Sequence, residues 1–228
     1  MKSSMKTRRL VAAAMFSALA FVTTFLCGYF PKVSGFLSLD FKDAIIVICA
    51  LVFGPLTALP IVVLVAVLEM YTISTTEWYG LIMNILSSGT FVLVTGFIYK
   101  YKRSFYGAIF GLLAGVFAVS AVMMIANLFI TPLYLTYMMG FPTTTEDIVA
   151  MLPTVLLPFN FIKATLNGAL VLLIYKPVST ALKQSGFVEK KQLDNGAEKV
   201  FNLRTLVVGL IAAAIIAASL FVMFMVIK

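Results

Sequence analysis

Asn160 and Lys163 stand three residues apart inside Met151–Tyr175, a stretch otherwise apolar apart from Thr154, Thr165 and Asn167. On a helix that spacing places both on one face, a turn apart. The amide supplies a donor and an acceptor, and the lysine a cationic donor. A lysine facing lipid at the helix centre costs about 2.5–3.5 kcal/mol on insertion scales. Two placements avoid that cost. Lys163 can lie near a helix end and snorkel to the headgroups, or the pair can point inward and grip a polar ligand within the membrane. Asn127 lies near the end of the preceding apolar run, Phe105–Leu133, and falls at a similar depth if the two runs are antiparallel neighbours. A single asparagine in a membrane helix usually serves as glue between helices. Three polar groups at one depth make a candidate ligand site. Aromatics near the same end are Tyr71, Trp78, Tyr134, Tyr137 and Phe159. They read either as an interfacial belt or as a stacking wall for a flat ligand.

Much other chemistry is excluded. There is no histidine in the chain, which removes the HExxH metal site, histidine-based triads and histidine proton relays. No Gly-x-x-x-x-Gly-Lys-Ser/Thr loop is present, so the chain does not bind ATP through a P-loop. Nearly all acidic residues fall in expected loops. Glu69 alone sits in an apolar span, near its outer end, and reads as a rim residue. Cys27 and Cys49 lie in or beside apolar segments and suit packing better than a disulfide framework. The expectation is therefore no enzyme, no metal and no cofactor, which leaves binding or transport.

The elements that must position these groups are membrane helices. The chain is 62% hydrophobic and 11% charged. Clear spans are Leu10–Phe30, Gly80–Tyr99, Phe105–Leu133, Met151–Tyr175 and Leu203–Ile227. Leu10–Phe30 is too long for a signal-peptide core and reads as the first span. Ala44–Tyr71 crosses either once or, broken around Gly54, Pro55 and Pro60, twice. Lys2, Lys6, Arg8 and Arg9 place the N-terminus in the cytoplasm by the positive-inside rule. Two crossings then keep Lys100, Lys102, Arg103 and the basic segment after Lys176 inside as well. Outer segments are left with Lys32, Lys42 and Lys228 beside Asp40, Asp43, Glu77, Glu146 and Asp147. Each half of the broken stretch has about 14 residues, roughly 21 Å of helix, short of the roughly 30 Å hydrocarbon core. Such helices need neighbours to cover them. The expected fold is an all-α membrane protein: a compact six-transmembrane-helix bundle in residues 1–185, a cytoplasmic linker at 186–202, and an additional C-terminal transmembrane helix at 203–228 that touches the bundle little. The net charge of +8 is scattered between spans and points to lipid headgroups, not nucleic acid.

Two loops of similar length, Pro31–Asp43 and Tyr134–Ala150, can cap an outward-facing pocket. On the first helix, Ala12, Ala13, Ala14, Ser17, Ala18 and Ala20 form a small-residue stripe that includes Ala14-x-x-x-Ala18. Stripes of this kind let helix backbones approach closely in lipid. Its position suggests a docking surface for another membrane protein.

Six helices with both core termini inside, Ala14-x-x-x-Ala18, Leu37-Ser38-Leu39-Asp40-Phe41-Lys42-Asp43, Phe53-Gly54-Pro55-Leu56, Asn127 and Asn160-Phe161-Ile162-Lys163 together resemble the substrate-binding S components of energy-coupling factor (ECF) vitamin transporters. The riboflavin-specific branch is the nearest in pattern. The resemblance covers about residues 1–185, and the seventh helix departs from it. It implies a multi-pass bacterial cell-membrane protein that captures riboflavin as transported ligand in an outward pocket, with Asn127, Asn160, Lys163 and the loop at Leu37 as ligand contacts. It also implies a transmembrane coupling protein and two cytoplasmic ATPase subunits as partners, with Ala14 and Ala18 at the docking surface. The alternatives are an S component for another vitamin, such as thiamin or biotin, or a structural membrane partner without a ligand.

Overall fold

Gly54 decides the ambiguous apolar stretch. In the computed structural model, which describes residues 5–187 and 203–227, its φ is +101°, a conformation open to glycine but costly for residues with a Cβ. Helix α2 (Lys42–Phe53) ends there, and α3 (Pro55–Thr72) begins with a proline at its first position, where no N–H is needed. The stretch forms two helices, as two crossings require.

The remaining helices are α1 (Met5–Cys27), α4 (Glu77–Tyr101), α5 (Phe105–Tyr137), α6 (Thr145–Met151), α7 (Leu157–Gln184) and α8 (Leu203–Ile227). Five described helical segments are long and apolar enough to cross a membrane, and α8 contributes a shorter apolar run, Val207–Val222. The protein is a multi-pass membrane bundle with an additional C-terminal helix. Its core is built on α2, where Ala44, Ile46, Val47, Ile48 and Cys49 are all buried. Cys27 and Cys49 are buried free thiols.

Glycines set the closest helix contact. On α5, a Cβ at Gly115 would fall 2.5 Å from Thr95 Oγ1 and 2.8 Å from the Phe91 ring of α4. The Thr95 hydroxyl donates to the Gly111 carbonyl at 3.2 Å. Small residues here let the two backbones pack tightly.

Three expectations are corrected. The second loop is not a long connector: α5 runs on to Tyr137, and α6 starts from a capping box in which Thr144 and Asp147 bond each other's backbone N–H groups. Between α6 and α7 lies a π turn, Leu152–Leu156, in which the Leu157 N–H reaches back to Leu152. It adds a residue to the turn and so shifts the phase of the side chains that follow by about 100°. Finally, α8 does not stand apart. A Cβ at Gly209 would lie 3.7 Å from Leu173 of α7, Ala212 is buried, and Ile216 packs against a cluster of Val33, Leu39, Phe159 and Leu166. The linker expected at 186–202 lies, beyond its first two residues, outside the described residues, as does Lys228.

Candidate functional site

A cavity of about 140 Å³ opens at the end of the bundle formed by the C-terminal parts of α1, α3 and α5 and the N-terminal parts of α4 and α7. All four expected ligand residues line it: Leu37, Asn127, Asn160 and Lys163. The two asparagines come from different helices, and each is anchored in the same way. Asn127 Nδ2 donates to the Met123 carbonyl at 2.6 Å, and Asn160 Nδ2 to the Leu156 carbonyl at 2.8 Å. Each amide therefore keeps one further N–H. Asn127 Oδ1 also accepts from the Thr131 hydroxyl at 2.7 Å. Asn160 Oδ1 has no protein partner among the described residues, so Asn160 still offers a donor and an acceptor side by side.

Leu37 arrives on the first loop. Its N–H and C=O pair with those of Val33, at 3.0 and 2.9 Å, across a tight turn through Ser34 and Gly35, both with positive φ. Its backbone N–H is committed, and what remains is the side chain and the carbonyl's second lone pair. The next residues of the loop carry the main electrostatic feature of the site.

Asp40 Oδ2 accepts from Lys163 Nζ at 2.6 Å and from Lys42 Nζ at 3.1 Å. Lys42 Nζ also donates to Glu69 Oε2 at 2.9 Å and to Asn84 Oδ1 at 3.2 Å. Burial by itself disfavours the Asp40 carboxylate, but the Lys163 and Lys42 ammonium groups that bond it favour the ionised form. Asn167 completes the junction. Its Nδ2 donates to the Asp40 and Lys163 carbonyls at 2.9 and 3.0 Å, and its Oδ1 accepts from the Ala44 N–H at 2.9 Å. Loop, α2, α3, α4 and α7 thus meet in one polar cluster.

The cluster overturns the reading of Asp40, Lys42, Asp43 and Glu69 as outer-loop or rim charges. All four are buried, Lys42 at 1% exposure. For Asp40, Lys42 and Glu69 the physical reason is mutual neutralisation: lysines paired with carboxylates can leave water where each charge alone could not. The available signal was the Asn160, Lys163, Asn167 face of α7, which demands an acidic partner, and Asp40-x-Lys42 as its source. The aromatic wall also differs. Tyr71, Trp78 and Tyr137 are 74%, 60% and 75% exposed and form part of the outward belt. Tyr134 and Phe159 line the cavity, joined by Phe36 and Tyr79, whose rings lie 5.8 and 5.9 Å from that of Tyr134. Phe36 brings the first loop over the cavity mouth.

The stripe on α1 divides between two faces. Ala12, Phe16 and Ala20 are buried against the bundle, whereas Ala14 and Ala18 face outward and are exposed.

A helical membrane bundle whose end cavity is lined by amides, lysines, carboxylates and aromatic rings has the donors, acceptors and ring faces to hold a small polar–aromatic molecule. Residues 8–175 match the family described as ECF transporter, substrate-specific component. The chain belongs to that family, which consists of transporter subunits and not enzymes. It is 31% identical over 180 residues to the riboflavin transporter RibU of Staphylococcus aureus, a match covering 78% of this chain and 94% of that one. It is 28% identical over 182 residues to the riboflavin transporter FmnP of Bacillus subtilis, again covering 78% and 94%. Among solved structures, the S component of a bacterial ECF transporter superimposes with a TM-score of 0.64 at 28% identity, covering 78% of this chain and 99% of that one.

Proposed function

We propose that this chain is the riboflavin-binding subunit of an ATP-driven ECF importer. The observation that carries the reading is the convergence of Asn127 from α5 with Asn160 and Lys163 from α7 on one aromatic-walled cavity. Riboflavin has a flat ring system with a uracil-like edge of carbonyl acceptors and an imide N–H. The free donor and acceptor of Asn160 match such an edge, the spare Asn127 N–H adds a donor, and the Lys163 ammonium gives a carbonyl a charge-assisted bond worth about 1.5–3 kcal/mol. Tyr134, Tyr79 and Phe159 supply stacking surface. Asp40 acts as a positioning residue, holding the lysine where the ligand meets it. The names borne by the two bacterial relatives support the same vitamin.

In this reading the ligand-binding unit is residues 1–185, the N-terminus is cytoplasmic by its basic residues, and the cavity opens outward. Energy comes from a transmembrane coupling protein and two ATPase subunits, and the exposed Ala14–Ala18 face of α1 meets the coupling protein. Purification tests the vitamin. A yellow preparation with flavin absorbance, and thermal stabilisation by added riboflavin, are expected. Stabilisation by thiamin or biotin in place of riboflavin would reassign the ligand, and a response to no vitamin would remove the capture role.

A further inference from the structure

A second cavity lies at the opposite end of the bundle. Its volume is about 230 Å³, and it is lined by Arg9, Gly54, Pro55, Tyr99, Lys100 and Arg103 among others. The helices fix its place. Arg9 is near the start of α1, whose other end contributes Thr24 and Gly28 to the first cavity. Lys100 is near the end of α4, whose start contributes Tyr79 and Met83 to the first. The cavity therefore belongs to the α2–α3 turn and has no share in the vitamin site.

Three cations from separate segments surround it: α1, the last turn of α4, and the connection into α5. None of the three has an ion-pair partner among the described residues. The first turn of α3 lines the same space, and no side chain caps that helix N-terminus. Pro55 has no N–H and the Thr57 N–H donates to the Gly54 carbonyl at 3.1 Å, so the helix start adds little beyond its dipole and the three cations carry the attraction for an anion. Arginine forks suit phosphate oxygens, and a lysine adds a point charge. Val52, Phe53 and Leu56 complete the lining, and Leu56 is 67% exposed, so apolar surface adjoins the charged pocket.

We propose that this cavity is a binding site for a phosphate group carrying negative charge. The adjoining apolar surface and its place at a membrane boundary fit an anionic phospholipid headgroup, and a free phosphate shares the same chemistry.

The test uses the full chain in nanodiscs of phosphatidylcholine, with or without added phosphatidylglycerol. Native mass spectrometry reads the lipid retained, and thermal shift reads the response to inorganic phosphate. The parent should retain phosphatidylglycerol selectively, and R9Q/K100Q/R103Q should lose that retention by about tenfold or more. The single variants R9Q, K100Q and R103Q should each lose part of it and carry the test should the triple not fold. K102Q, an equal charge change at an exposed residue outside the lining, should behave as the parent. Stabilisation of the parent by inorganic phosphate, absent in the variants and without selective lipid retention, supports the phosphate site and assigns a soluble occupant. Equal losses in K102Q and the cavity single variants would mean diffuse surface attraction and overturn the proposal. So would an unchanged triple variant.

Discussion

Lys163 and Asp40 are 123 residues apart in sequence and 2.6 Å apart in space. The pair resolves how a lysine sits in an apolar helix: it neither snorkels nor stands alone, but donates to a loop carboxylate that a second lysine shares. Lys163 and the first loop, which both line the cavity, are thereby held by one bond.

Lys163→Met and Asn160→Ala should each weaken flavin binding while leaving the protein folded in detergent. Loss of a charge-assisted bond worth about 1.5–3 kcal/mol corresponds to roughly 10- to 150-fold for the lysine variant. The asparagine variant should lose less. Titration by quenching of riboflavin fluorescence measures both. Parent-like affinity in both variants would rule out the proposed site.

Lys42→Met should act on stability first. Lys42 serves Asp40, Glu69 and Asn84 at once. Removing one partner of a buried pair costs about 3–5 kcal/mol, so its Tm in detergent should fall further than that of Lys163→Met. A smaller fall for Lys42→Met would mean that the cluster is not the junction described.

Gly115→Val tests the α4–α5 contact. A side chain there meets Thr95 and Phe91 well inside contact distance, and overpacking of this kind costs about 1–3 kcal/mol. Thermal unfolding should show the loss, whereas the same change at Gly89, with nothing within 4 Å of its Cβ position, should cost less.

The double variant Ala14→Trp/Ala18→Trp should bind riboflavin as the parent does and fail to transport it in cells. Both residues are on the outward face of α1, so bulk there leaves the cavity intact and blocks helix approach. Normal uptake would take docking away from this face.

Deleting residues 203–228 should leave riboflavin affinity unchanged, because among the described residues none that lines the cavity is on α8. Thermal stability should nevertheless drop, since Ala212 and Ile216 pack on the bundle. A lost affinity would make α8 part of the binding unit.

The helical frame was legible because membrane helices announce themselves by length and apolarity. The break at Gly54 was legible because glycine and proline punctuate any helix. Asn127, Asn160 and Lys163 were legible for a related reason: polar groups stand out in an apolar run. The same contrast hid their counterparts. Asp40, Lys42 and Asp43 precede or begin a helix, where charges are ordinary, and only the fold shows that this loop is buried. The attachment of α8 was equally hidden, since its small residues and Ile216 read the same against lipid as against α7.

Helix α2 has 12 residues, which is about 18 Å of rise against a hydrocarbon thickness of roughly 30 Å. With the Gly54 turn at one membrane boundary, its polar start at Lys42 and Asp43 lies well short of the other. On that geometry the floor of the proposed ligand cavity is sunk into the bilayer. A molecule resting on it has already covered about 12 Å of the hydrophobic barrier by equilibrium binding alone. In the proposed import cycle, ATP has to supply only the remaining distance and the release.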